Sequence, residues 1–197
     1  MLNETLKNHH IILASGSPRR QDFFKNLGLD FEIRLKPVKE DYPSRLTHFE
    51  ISNYLAQLKA LPYKEELNAQ DILITSDTIV WNNNEALGKP QDDTEAYNML
   101  KSLSNKTHQV ITSVCFTTHD FEKTLHSITD VTFKALTDDE IWYYIQTCKP
   151  FDKAGAYGIQ EWIGQIGVTE IKGSYFNVMG LPTHLVYKTL NSIAETF

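Results

Sequence analysis

The sequence predicts an α/β fold in which a mixed β-sheet is flanked by helices. Strand-like apolar runs alternate with helical stripes early in the chain, whereas the later strand patterns, over residues 107–118 and 121–136, follow each other directly. The chain has 197 residues, of which 41% are hydrophobic, and this is enough for a substantial core. We therefore expect a single domain over residues 1–197.

The first strand and helix enclose a turn that is suited to anions. Residues 11–14 form an apolar run, and Pro18 favours the first position of a helix. Ser17 is expected to cap this helix with its hydroxyl. A helix N-terminus attracts anions, and Arg19 and Arg20 add positive charge. The turn is a candidate polyphosphate site, although both arginines are equally compatible with solvated surface charges.

A short strand, a loop and a second helix follow. The strand pattern covers residues 31–35, and the loop contains Glu40. Thr47 begins a capping-box pattern ahead of the apolar stripe of the helix. Lys59 lies at the edge of this stripe, where a lysine normally extends its charge into water.

The strand pattern over residues 71–81 contains an unexpected charge, Asp77. A carboxylate within an apolar strand is costly to bury unless another group pairs with it, and aspartate is disfavoured in strands. Asp77 is either a structural partner of a turn or of a core arginine, or a functional carboxylate. The pattern favours the functional role.

A hairpin with its turn at residues 82–84 leads to the sequence Gly-Lys-Pro at residues 88–90. This is not a P-loop, because Asn83 and Pro90 stand where that motif requires Gly and Ser or Thr. Lys89 remains a candidate phosphate ligand in a short, rigid turn.

The rest of the chain contains further helices, strands and one glycine-containing loop. Helices are expected from Asp92 and, with a capping box, from Thr137. The loop over residues 151–160 is of the kind that contacts ligands. Strands are expected over residues 163–168 and 170–178, and a last helix begins near position 183.

Composition excludes several classes of protein. The formal net charge of −6 argues against binding to nucleic acid or to an anionic membrane surface. Both cysteines, Cys115 and Cys148, are expected to be reduced. The chain has neither a stretch of about 20 apolar residues nor a signal-peptide pattern, so we expect a cytoplasmic protein. A histidine metal cluster and a Gly-x-Ser-x-Gly elbow are missing from the sequence, which makes a zinc or serine hydrolase improbable.

The remaining charged residues at strand ends and in loops indicate phosphoryl chemistry. Cations can bind phosphate oxygens, carboxylates and phosphates can share Mg²⁺ or Mn²⁺, and one carboxylate can deprotonate an attacking water. The candidate cations are Arg19, Arg20, Lys59 and Lys89, and the candidate carboxylates are Glu40 and Asp77.

Five blocks of sequence carry a resemblance to a known family. They are Leu-Ala-Ser-Gly-Ser-Pro-Arg-Arg at 13–20, Ser-Asp-Thr at 76–78, Gly-Lys-Pro at 88–90, Asp-Lys-Ala-Gly-Ala-Tyr-Gly-Ile-Gln at 152–160, and Gly-Ser-Tyr with Val-Met-Gly-Leu-Pro within 173–182. In this order they resemble the Maf family of nucleoside triphosphate pyrophosphatases. The resemblance implies an elongated mixed sheet with a cleft between two lobes, a homodimer, and a divalent metal cofactor. It also implies hydrolysis of a nucleoside triphosphate, the small-molecule partner, to a monophosphate and pyrophosphate.

The resemblance assigns roles to particular residues. Asp77 matches the family's proton acceptor. Substrate-site and metal-site positions are matched by Ser15, Arg20, Glu40, Lys59 and Lys89, with Glu40 and Asp77 as the metal carboxylates. Positions that separate the subfamilies are matched by Arg19, Thr78 and Gln160.

With Thr78 and Gln160 at two of these positions, the chain resembles the branch of the family that acts on dTTP and UTP. The amide of Gln160 can donate and accept, as the O4 and N3–H groups of these pyrimidines require. Two departures from the family pattern are Thr75-Ser76 in place of Gly-Ala and Glu161-Trp162 after Gln160. The first is expected to affect packing behind Asp77 and the second to affect the base pocket. Two alternatives remain, a nucleotide-binding regulator of cell division with little hydrolysis and a purine (7-methyl-GTP) pyrophosphatase.

Overall fold

The computed structural model describes residues 2–196, which divide into two compact units. The first unit comprises the chain up to Asp77, the segment Thr112–Ser127 and the chain from Gly180 onward. The second comprises Thr78–Ile111 and Ile128–Met179. Three long strands contribute to both units, so neither unit is a continuous piece of sequence.

Most of the helices occur where the sequence predicts them. The α-helices are α1 (Leu2–Thr5), α2 (Pro18–Asn26), α3 (Phe49–Ala60), α4 (Asp93–Leu103), α5 (Asp138–Cys148), α6 (Trp162–Gly167), α7 (Tyr175–Val178) and α8 (Thr183–Thr196). Short 3-10 helices cover Leu61–Glu66 and Ala154–Ala156. The capping box at the start of α5 is present, since Thr137 and Glu140 each bond the backbone N–H of the other.

Within the described residues, seven strands form one mixed sheet, as the sequence predicts. The strands are β1 (His10–Leu13), β2 (Glu32–Ile33), β3 (Asp71–Asn82), β4 (Glu85–Leu87), β5 (Thr107–Thr117), β6 (Glu122–Phe133) and β7 (Val168–Lys172). Their order is β2-β1-β3-β5-β6-β7, and β4 pairs with β3. Strand β1 is parallel to β2 and β3, whereas the β3–β4 and β6–β7 pairs are antiparallel.

Each unit has its own apolar core. In the first unit, α3 packs on the sheet through a buried cluster consisting of Ile12, Ala56, Ala60, Tyr63, Leu67, Leu73 and Cys115. In the second unit, helices α4 and α5 pack with the loop before α6 around residues that include Leu100, Phe133, Ile141, Tyr144 and Tyr157. Burial of such side chains supplies the main driving force for folding.

The predicted strands over residues 163–168 and 170–178 are largely wrong. Residues Trp162–Gly167 form α6, and Tyr175–Val178 form α7, which Ser174 caps by accepting a hydrogen bond from the Asn177 N–H at 3.3 Å. A Cβ added at Gly164 would lie 2.0 Å from the carbonyl oxygen of Ile159. Helix α6 therefore packs closely against the preceding loop, a requirement that alternating apolar residues do not reveal.

Both cysteines are free thiols, as expected. Among the helices of residues 2–196, none combines the length and the apolar character that a membrane span requires.

Candidate functional site

Asp77 lies on β3 and faces helix α3. Residues at i and i+2 of a strand point to the same side, and Thr75, two residues earlier, donates a hydrogen bond to the carbonyl of Ala56 at 2.6 Å. Ala56 and Lys59 lie on one face of α3 because they are three residues apart. This attachment places the Lys59 ammonium 2.7 Å from Oδ1 of Asp77. Thr75 is one of the departures from the family pattern, and its hydrogen bond attaches helix α3 to the strand that carries Asp77.

Lys59 lies between two carboxylates. Its Nζ is also 3.1 Å from Oε1 of Glu40, and the exposed fractions of the side chains are 8% for Asp77, 19% for Lys59 and 45% for Glu40. The expectation that Lys59 extends its charge into bulk water is therefore wrong. We refer to Glu40, Lys59 and Asp77 together as the Asp77 cluster.

Burial and neighbouring charges act in opposite directions on the pKa of Asp77. Desolvation raises this pKa, Lys59 and Arg20 lower it, and Glu40 raises it, with a net upward shift. Oδ1 is bonded to Lys59, but among residues 2–196 no hydrogen bond reaches Oδ2. The site therefore presents an acceptor oxygen whose proton affinity exceeds that of an ordinary aspartate.

Arg20 connects the turn after β1 to the backbone beside Asp77. Its Nη1 donates to the carbonyl of Ser76 at 2.8 Å, and its Nε donates to the carbonyl of Gly180 at 2.7 Å. Desolvation lowers the pKa of this guanidinium. Arg20 is therefore not a solvated surface charge. It holds the turn over residues 15–20 close to the strand that carries Asp77.

The turn itself is compact. Ser15 is buried, its Oγ accepts a hydrogen bond from the Ser17 N–H at 3.3 Å, and its carbonyl accepts one from Gln21 Nε2 at 3.1 Å. Ser17 occupies the N-cap position of α2, but its side chain makes no capping bond, so the expected hydroxyl cap is wrong. The backbone N–H groups at the start of α2 are consequently not satisfied by a Ser17 cap, in keeping with the predicted affinity for anions. Arg19, next to Arg20 in α2, is partly exposed.

The other predicted site residues belong to the second unit. Thr78 follows Asp77 on β3 and is half-buried, and Lys89 is exposed in the turn after β4. The carbonyl of Gly88 accepts a hydrogen bond from the Gly155 N–H at 2.9 Å, which joins the Lys89 turn to the glycine-containing loop. Gln160 is half-buried in that loop.

The structure reveals a polar network in the loop that carries Gln160, and sequence analysis missed the pairing of its members. Lys153 is 8% exposed, and its Nζ lies 3.0 Å from Oε1 of Glu161 and 2.6 Å from Oδ1 of Asp152. The hydroxyl of Tyr144 donates to Oε2 of Glu161 and accepts the N–H of Gly158 at 3.0 Å. The sequence offered two signals, a lysine in the glycine-containing loop and the departure from the family pattern at Glu161, whereas Tyr144 resembles an ordinary core residue of α5.

The donor chemistry of the Asp77 cluster fits a hard divalent cation. Asp77 and Glu40 offer carboxylate oxygens, which are the ligands that Mg²⁺ and Mn²⁺ prefer. Across residues 2–196 no group of three or more His, Cys, Asp or Glu residues could hold a metal ion. Such a cation would therefore need ligands beyond the protein carboxylates, as is usual for Mg²⁺ bound together with substrate phosphates.

Comparisons with known proteins show which family and fold the chain resembles. The model of the family described as "Maf-like protein" matches residues 10–193. A dTTP/UTP pyrophosphatase of Flavobacterium johnsoniae is 60% identical over 193 residues, 98% of this chain and 100% of the relative. A dTTP/UTP pyrophosphatase of Christiangramia forsetii is 56% identical over 100% of both chains. The solved structure of the Staphylococcus aureus Ham1 protein has a TM-score of 0.54 at 17% identity, over 93% of this chain and 99% of that one, and shows the same fold.

Proposed function

The chain belongs to the Maf-like protein family, and we propose on this premise that it hydrolyses nucleoside triphosphates between the α and β phosphates. The products are a nucleoside monophosphate and pyrophosphate. We propose dTTP and UTP as substrates, with modified pyrimidine nucleotides as further candidates. Support comes from the name and the 56–60% identity of the two curated relatives, which align over nearly the whole chain.

One observation carries the proposal: Asp77 is buried, is bonded through one oxygen to Lys59 and keeps its second oxygen outside the protein's own hydrogen bonds within residues 2–196. A carboxylate that served packing alone would be expected to use both oxygens within the protein, as Asp71 does at the start of the same strand. We assign Asp77 as the proton acceptor. Its raised pKa brings it closer to the operating pH, where a general base is most effective.

In the proposed reaction, Asp77 acts directly on the attacking water. Asp77 takes a proton from water while the water oxygen bonds to phosphorus, and the α–β anhydride bond breaks so that pyrophosphate leaves. Lys59 holds Asp77 in one orientation through the 2.7 Å contact and compensates its charge. Positioning and charge compensation of this kind supply most of the rate enhancement in phosphoryl transfer.

The proposed phosphate ligands are Ser15, Arg20, Lys59 and Lys89. Arg20 also has a structural role, because its hydrogen bonds to the carbonyls of Ser76 and Gly180 fix the backbone adjacent to Asp77. We propose Arg19, Thr78 and Gln160 as the residues that select the substrate, with Gln160 matching the O4 and N3–H groups of thymine or uracil.

Glu40 and Asp77 are the residues that would hold Mg²⁺ or Mn²⁺. When bound, such an ion neutralises phosphate charge and orients the reacting groups. A cytoplasmic location is proposed from the sequence pattern, and a homodimeric assembly is proposed from the family resemblance.

A panel of triphosphates tests the function. The protein is incubated with dTTP, UTP, dCTP, ATP, GTP and 7-methyl-GTP in the presence of Mg²⁺, and products are identified by ³¹P NMR. We expect monophosphate and pyrophosphate, fastest from dTTP and UTP, and no turnover after chelation of the metal with EDTA. Release of orthophosphate would contradict α–β cleavage, a preference for 7-methyl-GTP would indicate the purine alternative, and binding without turnover would indicate the regulator.

A further inference from the structure

The loop that carries Gln160 is closed by side chains at both of its ends. We call residues 153–161 the Gln160 loop. Lys153 at its start pairs with Glu161 at its end at 3.0 Å. The backbone also turns back on itself here, because the Glu161 N–H donates to the carbonyl of Gly158 at 3.0 Å. Gln160 lies inside this turn, one residue before Glu161.

Tyr144 anchors the same loop to helix α5. The tyrosine is fully buried, and its hydroxyl bonds both the Gly158 N–H and the Glu161 carboxylate. Desolvation, together with the bond to Glu161, raises the pKa of Tyr144, so the hydroxyl stays protonated and donates to that carboxylate. Glu161 therefore uses both oxygens within the protein, one with Lys153 and one with Tyr144.

Gly158 leaves just enough room for this arrangement. A Cβ at this position would lie 2.8 Å from Cδ of Glu161 and 3.0 Å from Cε of Lys153. The ion pair thus packs directly on the backbone of the loop. Hydrogen bonds of charged groups in such sites are stronger and more directional than those at the surface.

We propose that Glu161, with Tyr144 and Lys153, is a positioning residue that fixes Gln160 and thereby sets the discrimination between thymine or uracil and cytosine. This inference rests on the proposed function. A glutamine amide can present either a donor or an acceptor to the same partner after a half-turn. Thymine presents O4 and N3–H, whereas cytosine presents N4–H₂ and N3. The amide of Gln160 can discriminate between these two patterns only if its surroundings hold it in one orientation.

The test compares Glu161→Gln and Tyr144→Phe with a matched control, Tyr63→Phe. Tyr63 is a buried tyrosine of the first unit whose hydroxyl donates to the carbonyl of Arg34 at 2.8 Å, so its substitution removes the same group outside the Gln160 loop. For each variant, kcat and KM are measured with dTTP and dCTP, and thermal unfolding is recorded.

In Glu161→Gln and Tyr144→Phe, we expect the ratio of kcat/KM for dTTP over dCTP to fall about tenfold, mainly through KM. Tyr63→Phe keeps the wild-type ratio. Adding Glu161→Gln to Gln160→Ala leaves the ratio of the single Gln160→Ala variant unchanged, because a positioning residue acts only through its target. If Tyr144→Phe does not fold, Glu161→Gln alone decides.

A preserved ratio in Glu161→Gln, or an equal loss in Tyr63→Phe, overturns the inference. An additive effect in the double variant also overturns it, because Glu161 would then act independently of Gln160. If the wild type hydrolyses no triphosphate, the proposed function itself fails. If it hydrolyses dTTP and Glu161→Gln keeps the dTTP preference, only the positioning role fails.

Discussion

Two aspartates on strand β3 are buried to a similar degree and differ in how the protein satisfies them. The side chain of Asp71, at the start of the strand, is 6% exposed, and that of Asp77 is 8% exposed. Oδ1 of Asp71 bonds Nδ1 of His10 at 2.9 Å, and Oδ2 accepts the backbone N–H of Asn68 at 2.8 Å. Both oxygens of Asp71 therefore have partners, whereas within residues 2–196 Asp77 is bonded through Oδ1 alone.

The two pKa shifts follow from this difference. Burial raises the pKa of Asp71, but hydrogen bonds from Asn68 and His10 outweigh it, so the net shift is downward. Burial also raises the pKa of Asp77, and here the lysine and arginine do not compensate for it. Asp71 is thus a structural carboxylate that stays ionised, whereas the raised pKa of Asp77 supports its proposed role as the proton acceptor. The comparison separates two uses of the same residue type on one strand.

Removing the partner of Asp77 should have the largest effect among the neighbours of the two aspartates. In Lys59→Met we expect kcat/KM for dTTP to fall about 100-fold, because the variant loses charge compensation for Asp77 and a proposed phosphate ligand. Steady-state kinetics provide the measurement. Lys64→Met is the control, since Lys64 forms a comparable ion pair with Glu122 at 2.8 Å. The assignment is contradicted if both lysine variants lose activity equally.

The pH dependence of turnover tests the raised pKa of Asp77. The general base must be ionised, so kcat/KM should fall about tenfold per pH unit below the Asp77 pKa, with a midpoint above about 3.9, the ordinary value for aspartate. Lys59 lowers the Asp77 pKa, so Lys59→Met should move this limb to higher pH, whereas Lys64→Met should leave it in place. An acid limb with its midpoint at the ordinary aspartate pKa, or one that Lys59→Met does not shift, would indicate that another group is the base.

Stability should respond in opposite directions at the two positions. The folded-state pKa of Asp71 is lowered, so its ionised form contributes stability above the ordinary aspartate pKa, and this contribution is lost as pH falls. The raised pKa of Asp77 means that its ionised form costs stability at neutral pH. We expect Asp71→Asn to lower the free energy of unfolding at pH 8 by about 1–2 kcal/mol and Asp77→Asn to leave it unchanged or higher. Urea unfolding measures both, and a less stable Asp77→Asn would reverse the assignment.

Much of the Asp77 cluster could be predicted from local patterns. The interrupted apolar run singled out Asp77, and the helical stripe placed Lys59 at the edge of α3. Their pairing could not be predicted, because it depends on the bond between Thr75 and Ala56, which joins a strand to a helix 19 residues away in sequence. The pairing of Arg20 with the carbonyls of Ser76 and Gly180 is likewise a tertiary contact.

In the second unit, local patterns predicted some features and missed others. The capping box at Thr137 is a signal within four residues, and it was predicted correctly. Helix α6 was taken for a strand because its few apolar residues fit either period, and the close packing of Gly164 against the carbonyl of Ile159 leaves no mark in that pattern. The role of Tyr144 could not be predicted, because its ring packs in the apolar core of the second unit and only its hydroxyl contacts the Gln160 loop.

Single-turnover hydrolysis of dTTP by saturating concentrations of Asp77→Asn and Asp71→Asn tests the central claim most directly, with binding of dTTP measured in parallel by calorimetry. We predict that Asp77→Asn slows pyrophosphate release by about 10³-fold while it retains binding, because a proton acceptor acts in the transition state. Asp71→Asn should turn over at close to the wild-type rate. Unchanged pyrophosphate release by Asp77→Asn, or an equal loss in both variants, would contradict the account.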